Sequence, residues 1–379
     1  MSGRKGFDVA PWMDRLGGFI ERHPAQWIKL GSLETSLVSS ALTDVRVDRP
    51  IYVTGLARSG TTILLETLAR HPEVATHRYR DFPMLFTPYA WNRWLELVPR
   101  KDEAPAERSH GDGIAVTSES PEAFEEPLWM AFFPELHEAT QSAVLDGDTH
   151  HPLFERFYRD HIHKLLAVRG RRRYVAKGNY NVTRIGYLAR LFPDARFVIP
   201  VRDPVWHIAS LMKQHRLFLD GQRDNPAARR HLRRVGHFEF GAERRPIRIG
   251  DGTTTAEIVA LWQAGEEVRG WGRYWAQIHH YIADLIERER GLRAAIRIVR
   301  YEDLCASPLE TLHDVLDHCA LPEYEPFLSD AAGRLHQPTY YRPRFGDEDL
   351  AIIAEETAEA AGRFGYGVDR SPSLRQSAE

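Results

Sequence analysis

Short apolar runs and helical periodicities take turns along most of this chain. Four runs, IYVTG from Ile51, RYVAKG over Arg173–Gly178, ARFVIPV over Ala195–Val201 and AIRIVRY over Ala295–Tyr301, are brief and apolar, as strands buried in a parallel sheet are. Helical patterns separate them, over Thr61–Arg70, Val182–Leu191, Val205–His215 and Thr255–Arg290. This order predicts an α/β fold, a central parallel sheet with helices on both faces. In such sheets ligands bind beyond the carboxyl ends of the strands.

Before the first strand, Trp12, Leu16, Phe19 and Ile20, then Trp27, Leu30 and Leu33, recur at helical spacing between Val9 and Leu42. They predict two or three short amphipathic helices forming a packing collar. The organisation expected is an N-terminal helical extension, 1–48, on a single domain, 49–379. Two stretches break the repeat. Residues 99–150 are rich in Pro, Gly, Glu and Ser, and 217–254 carry scattered Arg, Gly and Asp. Both read as insertions, the kind of segment that forms lids and binding loops.

Composition narrows the function classes. With 43% hydrophobic and 27% charged residues, the 379-residue chain has a globular balance. A formal net charge of -3 argues against a nucleic-acid partner, and the clusters Arg169–Arg173 and Arg229–Arg234 read as solvated faces. Cys305 and Cys319 allow one bridge but require none, and no CxxC pattern suggests a metal. No apolar signal core or membrane-length run is present, so the expectation is a cytoplasmic protein with no transmembrane segment. Metal signals are weak: His161 and His163 point to different sides of a helix, as do His279 and His280, and no HExxH occurs.

The chemistry begins at YVTGLARSGTTILLETLARHP, Tyr52–Pro72. Gly55 and Gly60 bracket a loop between strand and helix, as in the G-x4-G-K-[ST] phosphate loop, but Thr61 stands where lysine belongs. The glycines still let successive N–H groups point inward, and the helix start adds its dipole. Ser59, Thr61 and Thr62 supply hydroxyls, and the cation has moved to Arg58. Such a P-loop-like nucleotide-binding loop suits a 5′-phosphate better than a metal-bound triphosphate. A second motif, FPDARFVIPVRDPVWHIAS, puts Arg202 at the end of a buried strand and Ser210 about two turns into the next helix. If that helix folds back, both reach one anion; an Arg–Asp pair capping a strand end is the plainer alternative.

GLARSGTTILLETLARHPEV resembles the 5′-phosphosulfate loop of sulfotransferases that use 3′-phosphoadenosine 5′-phosphosulfate (PAPS), whose members carry Lys or Arg at the Arg58 position. The resemblance implies that Arg58, Ser59, Gly60, Thr61 and Thr62 hold the phosphosulfate, and that Arg202 and Ser210 hold the 3′-phosphate. It implies that Lys177, ending RYVAKG, contacts the sulfuryl group, and that Tyr301 of RYEDL lies near the adenine, with Glu302 and Asp303 as structural caps. It extends from about Pro50 to Gly367, with insertions that do not align. The implied activity is in-line transfer from PAPS to a hydroxyl on a glycan, lipid or small metabolite, with no metal.

The general base separates branches of that family. Cytosolic phenol and steroid sulfotransferases place a histidine two residues after the lysine; here that residue is Asn179. Glycan-type members place Glu shortly after the His-Pro ending the first helix. Asp81 falls at or within one residue of that position and is the expected base; otherwise it is a surface residue paired with Arg78 or Arg80, worth only ~0.2–1 kcal/mol. His110, in the RSHGDGI insertion, is the second candidate. Glu125 and Glu126 could bind an acceptor or simply start a helix, Glu66 reads as an exposed helix former, and Trp91, Trp94, Phe124, Trp129, Phe132 and Phe133 offer aromatic surface or core. A divergent P-loop kinase, with Asp203 at its magnesium, and a non-catalytic nucleotide-binding protein are the competing readings.

Overall fold

Every side chain of β1 (Ile51–Val53) is buried, and they alternate between two cores. Ile51 and Val53 meet Leu64, Leu65 and Leu68 on one face of the sheet. Tyr52 joins Tyr158, Tyr174 and Phe197 on the other. With apolar layers on both sides, the strand has no polar face to reveal in its sequence. The computed structural model describes residues 7–98, 104–108, 111, 114–138, 140–337 and 342–367.

Five strands, β1 with β2 (Val74–Ala75), β5 (Arg173–Lys177), β6 (Arg196–Val201) and β7 (Ile296–Arg300), pair in parallel in the order β2-β5-β1-β6-β7. The hairpin β3 (Ala106–Glu107) and β4 (Ala115–Val116) stands apart, antiparallel, within the first inserted stretch. The four expected strands are all present; β2, β3 and β4 were not expected, being two residues each and too short for a period to show. The chain leaves β1 toward one side of the sheet and reaches β6 on the other, so β1 lies at the switch where ligands of such sheets bind.

The helices follow the expected order with shifted ends. The Thr61–Ala69 helix is as expected. The pattern from Val182 splits into a 3-10 turn, Asn179–Thr183, and a helix, Ile185–Leu191. The helix after β6 runs Pro204–Gln222, well into the second inserted stretch, with the Asp203 carboxylate accepting from Val205 and Trp206 N–H. The long pattern from Thr255 breaks at Gly265 (φ 84°) into Thr253–Gln263 and Glu267–Arg288. Among the described residues no helix is long and apolar enough to cross a membrane, and both cysteines are free.

The N-terminal helices, Pro11–Arg22, Pro24–Leu37 and Ser39–Leu42, form as expected but present a different face. Trp12 and Leu33 are 54% and 53% exposed, and Leu30 and Phe19 are also outside. The second helix packs through Trp27, Gly31 and Glu34 instead. The reason is steric and ionic. Gly31 lets the backbone close on Phe86 and Phe157, where an added Cβ would sit 2.5 Å from the Phe86 carbonyl oxygen. Buried Lys164 then donates to Gly31 O (2.9 Å) and pairs with Glu34 (2.8 Å). The arginine clusters are solvated only in part: Arg171, Arg172, Arg229 and Arg233 are exposed, but others are engaged. Arg230 and Arg234 grip Asp14 and Glu21 of the first helix, and buried Arg173 donates to the carbonyls of Arg49, Cys319 and Ala320. In helices alanine is ordinarily favoured over glycine by about 1 kcal/mol, yet Gly31→Ala is expected to lower stability by about 1–3 kcal/mol through overpacking, measured by urea unfolding of the two proteins.

Candidate active site

Four strand ends supply the site. After β1, Gly55 (φ 144°), Arg58 (φ 72°) and Gly60 (φ 115°) take left-handed conformations, which curl the chain between strand and helix. Gly60 is irreplaceable on a second count: a Cβ there would meet the Tyr301 ring at 2.8 Å. The loop is pinned from beneath by His207, whose Nδ1 accepts from Trp275 Nε1–H (3.0 Å), leaving Nε2–H to donate to Ala57 O (2.8 Å). Burial holds His207 well below the usual histidine range, so the neutral tautomer persists.

The second motif closes directly onto the loop. Arg58 Nε donates to Ser210 Oγ at 3.3 Å, and Arg202 Nη1 lies 3.5 Å from Arg58 O. The Arg202 guanidinium stands 4.7 Å over the Tyr301 ring, while Arg202 Nε is buried without a partner among the described residues. Arg58, Gly60, Thr61, Thr62, Lys177, Arg202 and Tyr301 all line one cavity of about 840 Å³. Burial lowers the Lys177 pKa, opposed by the carboxylates of Glu122 and Glu239.

Not every expected residue faces this cavity. Ser59 is fully buried beneath the loop, and Thr61 turns its hydroxyl to Asn179 Oδ1 (3.2 Å), so of the three hydroxyl residues Thr61 and Thr62 reach the wall. Ser210 touches the site through Arg58. Glu66 lines the cavity, against the expectation of a purely exposed position. His110 lies outside the described residues. Glu302 is the expected cap, accepting from Asp203 N (3.1 Å) and Tyr366 Oη (2.6 Å).

Asp81 requires correction. It is neither at the surface nor at the cavity wall, but 1% exposed. Its carboxylate accepts from Arg169 (2.7 and 2.9 Å), Asn92 Nδ2 (3.0 Å) and Arg78 N (2.9 Å), with His77 Nδ1 at 3.3 Å. Burial alone would raise its pKa, but His77 and Arg169 outweigh that and hold it far below the usual carboxylate range. Arg78 and Arg80 pair with Glu119 instead. A carboxylate enclosed by a guanidinium and three other donors is a structural pin and has no acceptor within reach.

Glu66, Glu107, Glu122 and Glu239 are among the carboxylates that line the cavity; Glu239, from the second inserted stretch, is bonded toward the loop after β1. Glu239 Oε1 accepts from Asn179 Nδ2 (2.8 Å), and its Oε2 lies 3.1 Å from His237 Nδ1. Thr61, Asn179 and Glu239 thus form one chain from phosphate loop to inserted segment. Burial would raise Glu239, but His237, Asn179 and Lys177 together lower it, so it is ionised at neutral pH. No sequence pattern marks Glu239; only its fold-back onto Asn179 does. Glu125 and Glu126 also line the cavity but hold internal partners: Tyr158 and Tyr174 for the first, Arg184 and His137 for the second. Of the aromatic candidates, Phe124 lines the cavity, Trp129 is core, and Trp91 and Trp94 stack on each other at 4.9 Å. Among the described residues no cluster of three His, Cys, Asp or Glu side chains is arranged to hold a metal.

A family model described as "Sulfotransferase family" matches residues 50–244, just over half of the chain. Similar solved structures include sulfotransferase STF9 from Mycobacterium avium, at 15% identity and TM-score 0.49, covering 88% of this chain and 81% of that one. Sulfotransferase STF1 from Mycobacterium tuberculosis H37Rv is similar at 17% identity and TM-score 0.46, covering 92% and 86%. A sulfotransferase from Alicyclobacillus acidocaldarius follows at 15% and 0.39, covering 84% and 94%. No curated protein matches by sequence.

Asp81→Asn is expected to destabilise the fold by about 3–5 kcal/mol at neutral pH, since it strands Arg169 without its counter-charge. Because the folded pKa of Asp81 is depressed, its contribution is present above the unfolded value of about 3.9 and fades as pH falls below it. Urea unfolding from pH 7 to pH 3 should therefore show the gap between the two proteins narrowing toward acid.

Proposed function

The chain belongs to the sulfotransferase family, and on that premise we propose that it moves the sulfuryl group of PAPS to a hydroxyl acceptor. The observation that carries this reading is the junction of the two anion-binding motifs. Arg58 bonds Ser210, Arg202 reaches back to the Arg58 carbonyl, and Tyr301 stands beside both at one cavity. A bisphosphorylated adenosine has two anionic ends and one aromatic ring, and the site offers matching groups for each: the loop amides and Arg58, then Arg202 with Ser210, then the Tyr301 face.

Lys177, at the end of β5, holds positive charge where the sulfuryl group passes. The acceptor oxygen forms its bond to sulfur as the bond from sulfur to the 5′-phosphate oxygen breaks, and negative charge grows on that phosphate. A buried ammonium stabilises such charge without reorganising. The acceptor proton goes to Glu239, the ionised carboxylate joined through Asn179 to the phosphate loop. Asn179 has no basic atom, so the base enters one side chain further on. The kinase alternative loses its key residue here, since the Asp203 carboxylate caps the Pro204–Gln222 helix and does not line the cavity.

Calorimetric titration with 3′-phosphoadenosine 5′-phosphate should show binding that Arg202→Ala abolishes, with no comparable binding of ATP and magnesium; the reverse order of affinities would overturn the PAPS reading. In turnover assays Lys177→Ala and Arg58→Ala should each lower the rate by about 10²–10³. Glu239→Gln should lower kcat by about 10²–10⁴ while keeping nucleotide affinity. Lys177 acts as a cation, and burial lowers its pKa. The rate should therefore fall with rising pH below the ordinary lysine value of about 10.4, and Lys177→Arg should shift that fall upward in a pH–rate profile.

A further inference from the structure

Among the described residues β7 pairs with β6 alone and ends the sheet on its side. Ala295 O accepts from Phe197 N–H. By alternation, the N–H and C=O of Ile298 and the N–H of Arg300 then point away from β6. That edge opens into a groove of about 1000 Å³ with Ile298 and Val299 in its wall. The two helix layers flank it. Ile298 packs toward the core shared by the Glu267–Arg288 and Asp347–Arg363 helices, and Val299 toward that of the Pro308–His318 helix. The space between the layers is where a sixth strand would lie, about 4.8 Å from β7. No residue of this groove lines the cavity of the candidate active site.

Its charge is one-sided. Arg290, Arg293, Arg297, Arg300 and Arg363 line the groove against Glu287, Asp303 and Asp314. All three carboxylates already have a cation beside them. Arg363 holds Glu287 (2.9 Å), Arg297 pairs with Asp314, and Asp303 lies 4.0 Å from Arg300 Nε. Arg290 and Arg293, on the short Arg290–Arg293 helix before β7, are exposed, and their guanidinium groups make no ion pair among the described residues. Exposed charge often guards a bare strand edge against self-pairing. Arg297, on the strand itself, suffices for that. Arg290 and Arg293 stand off the strand, at the groove wall, where a seated segment would pass.

We propose that this groove binds an extended acidic segment of a partner protein, which adds to β7 as a sixth strand. Main-chain hydrogen bonds to Ile298 and Arg300 supply affinity, and carboxylates on alternate side chains meet Arg290 and Arg293. A second copy of this chain does not suit the groove, since its β7 edge would bring the same excess of positive charge. A small anion would meet the arginines but leave the strand edge uncovered. The binding is separate from the donor and acceptor of the reaction, so it stands or falls independently of the sulfotransferase reading.

The test is fluorescence anisotropy, with the full chain titrated into a short, labelled, acetylated peptide of alternating valine and glutamate. Its controls are the lysine counterpart and the glutamate peptide with every backbone nitrogen methylated. The glutamate peptide should bind at least about tenfold more tightly than either control. Arg290→Glu combined with Arg293→Glu should weaken it at least about tenfold, with the thermal midpoint of the parent retained; Arg290→Gln with Arg293→Gln should weaken it by a smaller factor. Absence of saturable binding, equal binding of the methylated peptide, or unchanged affinity in both double variants would overturn the proposal. So would a dimer of the parent chain, seen by sedimentation, that the same substitutions dissociate, since the edge would then belong to a second copy.

Discussion

Holding Arg58, Lys177 and Arg202 around one cavity is the constraint on which the site depends. Like charges in a partly desolvated space repel, and each is costly to bury without compensation. The protein manages this by giving each cation a local anchor. Arg58 bonds Ser210, Arg202 lies over the Tyr301 ring and reaches the Arg58 carbonyl, and Glu122 and Glu239 act on Lys177. What these anchors leave is directed toward the cavity, where the anionic donor proposed above would complete the balance. The parallel sheet makes the arrangement possible, because the ends of β1, β5, β6 and β7 all emerge on one side.

The other buried charges hold layers together. Lys164–Glu34 ties the second N-terminal helix to the Pro152–Arg169 helix. Asp81–Arg169 ties the turn at Tyr79–Asp81 to the end of that same helix. Glu126–Arg184 ties the inserted Glu126–Phe132 helix to the segment after β5. Each pair joins elements distant in sequence, and each would leave a stranded charge if one partner were lost. Such pairs specify how elements dock more than they add stability. The N-terminal extension is thereby an integral part of the fold, and its contribution to the cavity wall follows from that docking.

Much of this was legible from the chain alone where a local pattern carries a local geometry. A glycine-bracketed turn between a buried strand and a helix has few backbone solutions, so the course of Gly55–Thr62 between β1 and the Thr61–Ala69 helix could be read from the chain. Arg202 at the end of β6 and Tyr301 at the end of β7 were legible for the same reason. The exposed faces of the N-terminal helices were not. Leu30 and Leu33 have the spacing of a buried stripe, but Gly31 and the Lys164–Glu34 pair turn the helix the other way, and hydrophobic periodicity does not weigh a close backbone approach against a buried ion pair.

The carboxylates show the division most sharply. Asp81 and Glu239 are equally ordinary in sequence, each beside polar neighbours in an irregular stretch. Whether a carboxylate is a pin or a base depends on what encloses it. Asp81 meets Arg169, 88 residues away, and is neutralised; Glu239 meets Asn179, 60 residues away, at the cavity wall. The sequence by itself determined four of the five strands of the sheet, the glycine-bracketed loop and the cations at the strand ends, since these depend on nearest neighbours along the chain. The tertiary structure alone decided which acids line the cavity and which, like Asp81, are enclosed away from it, because electrostatic environment is set by groups that only folding brings within a few ångströms.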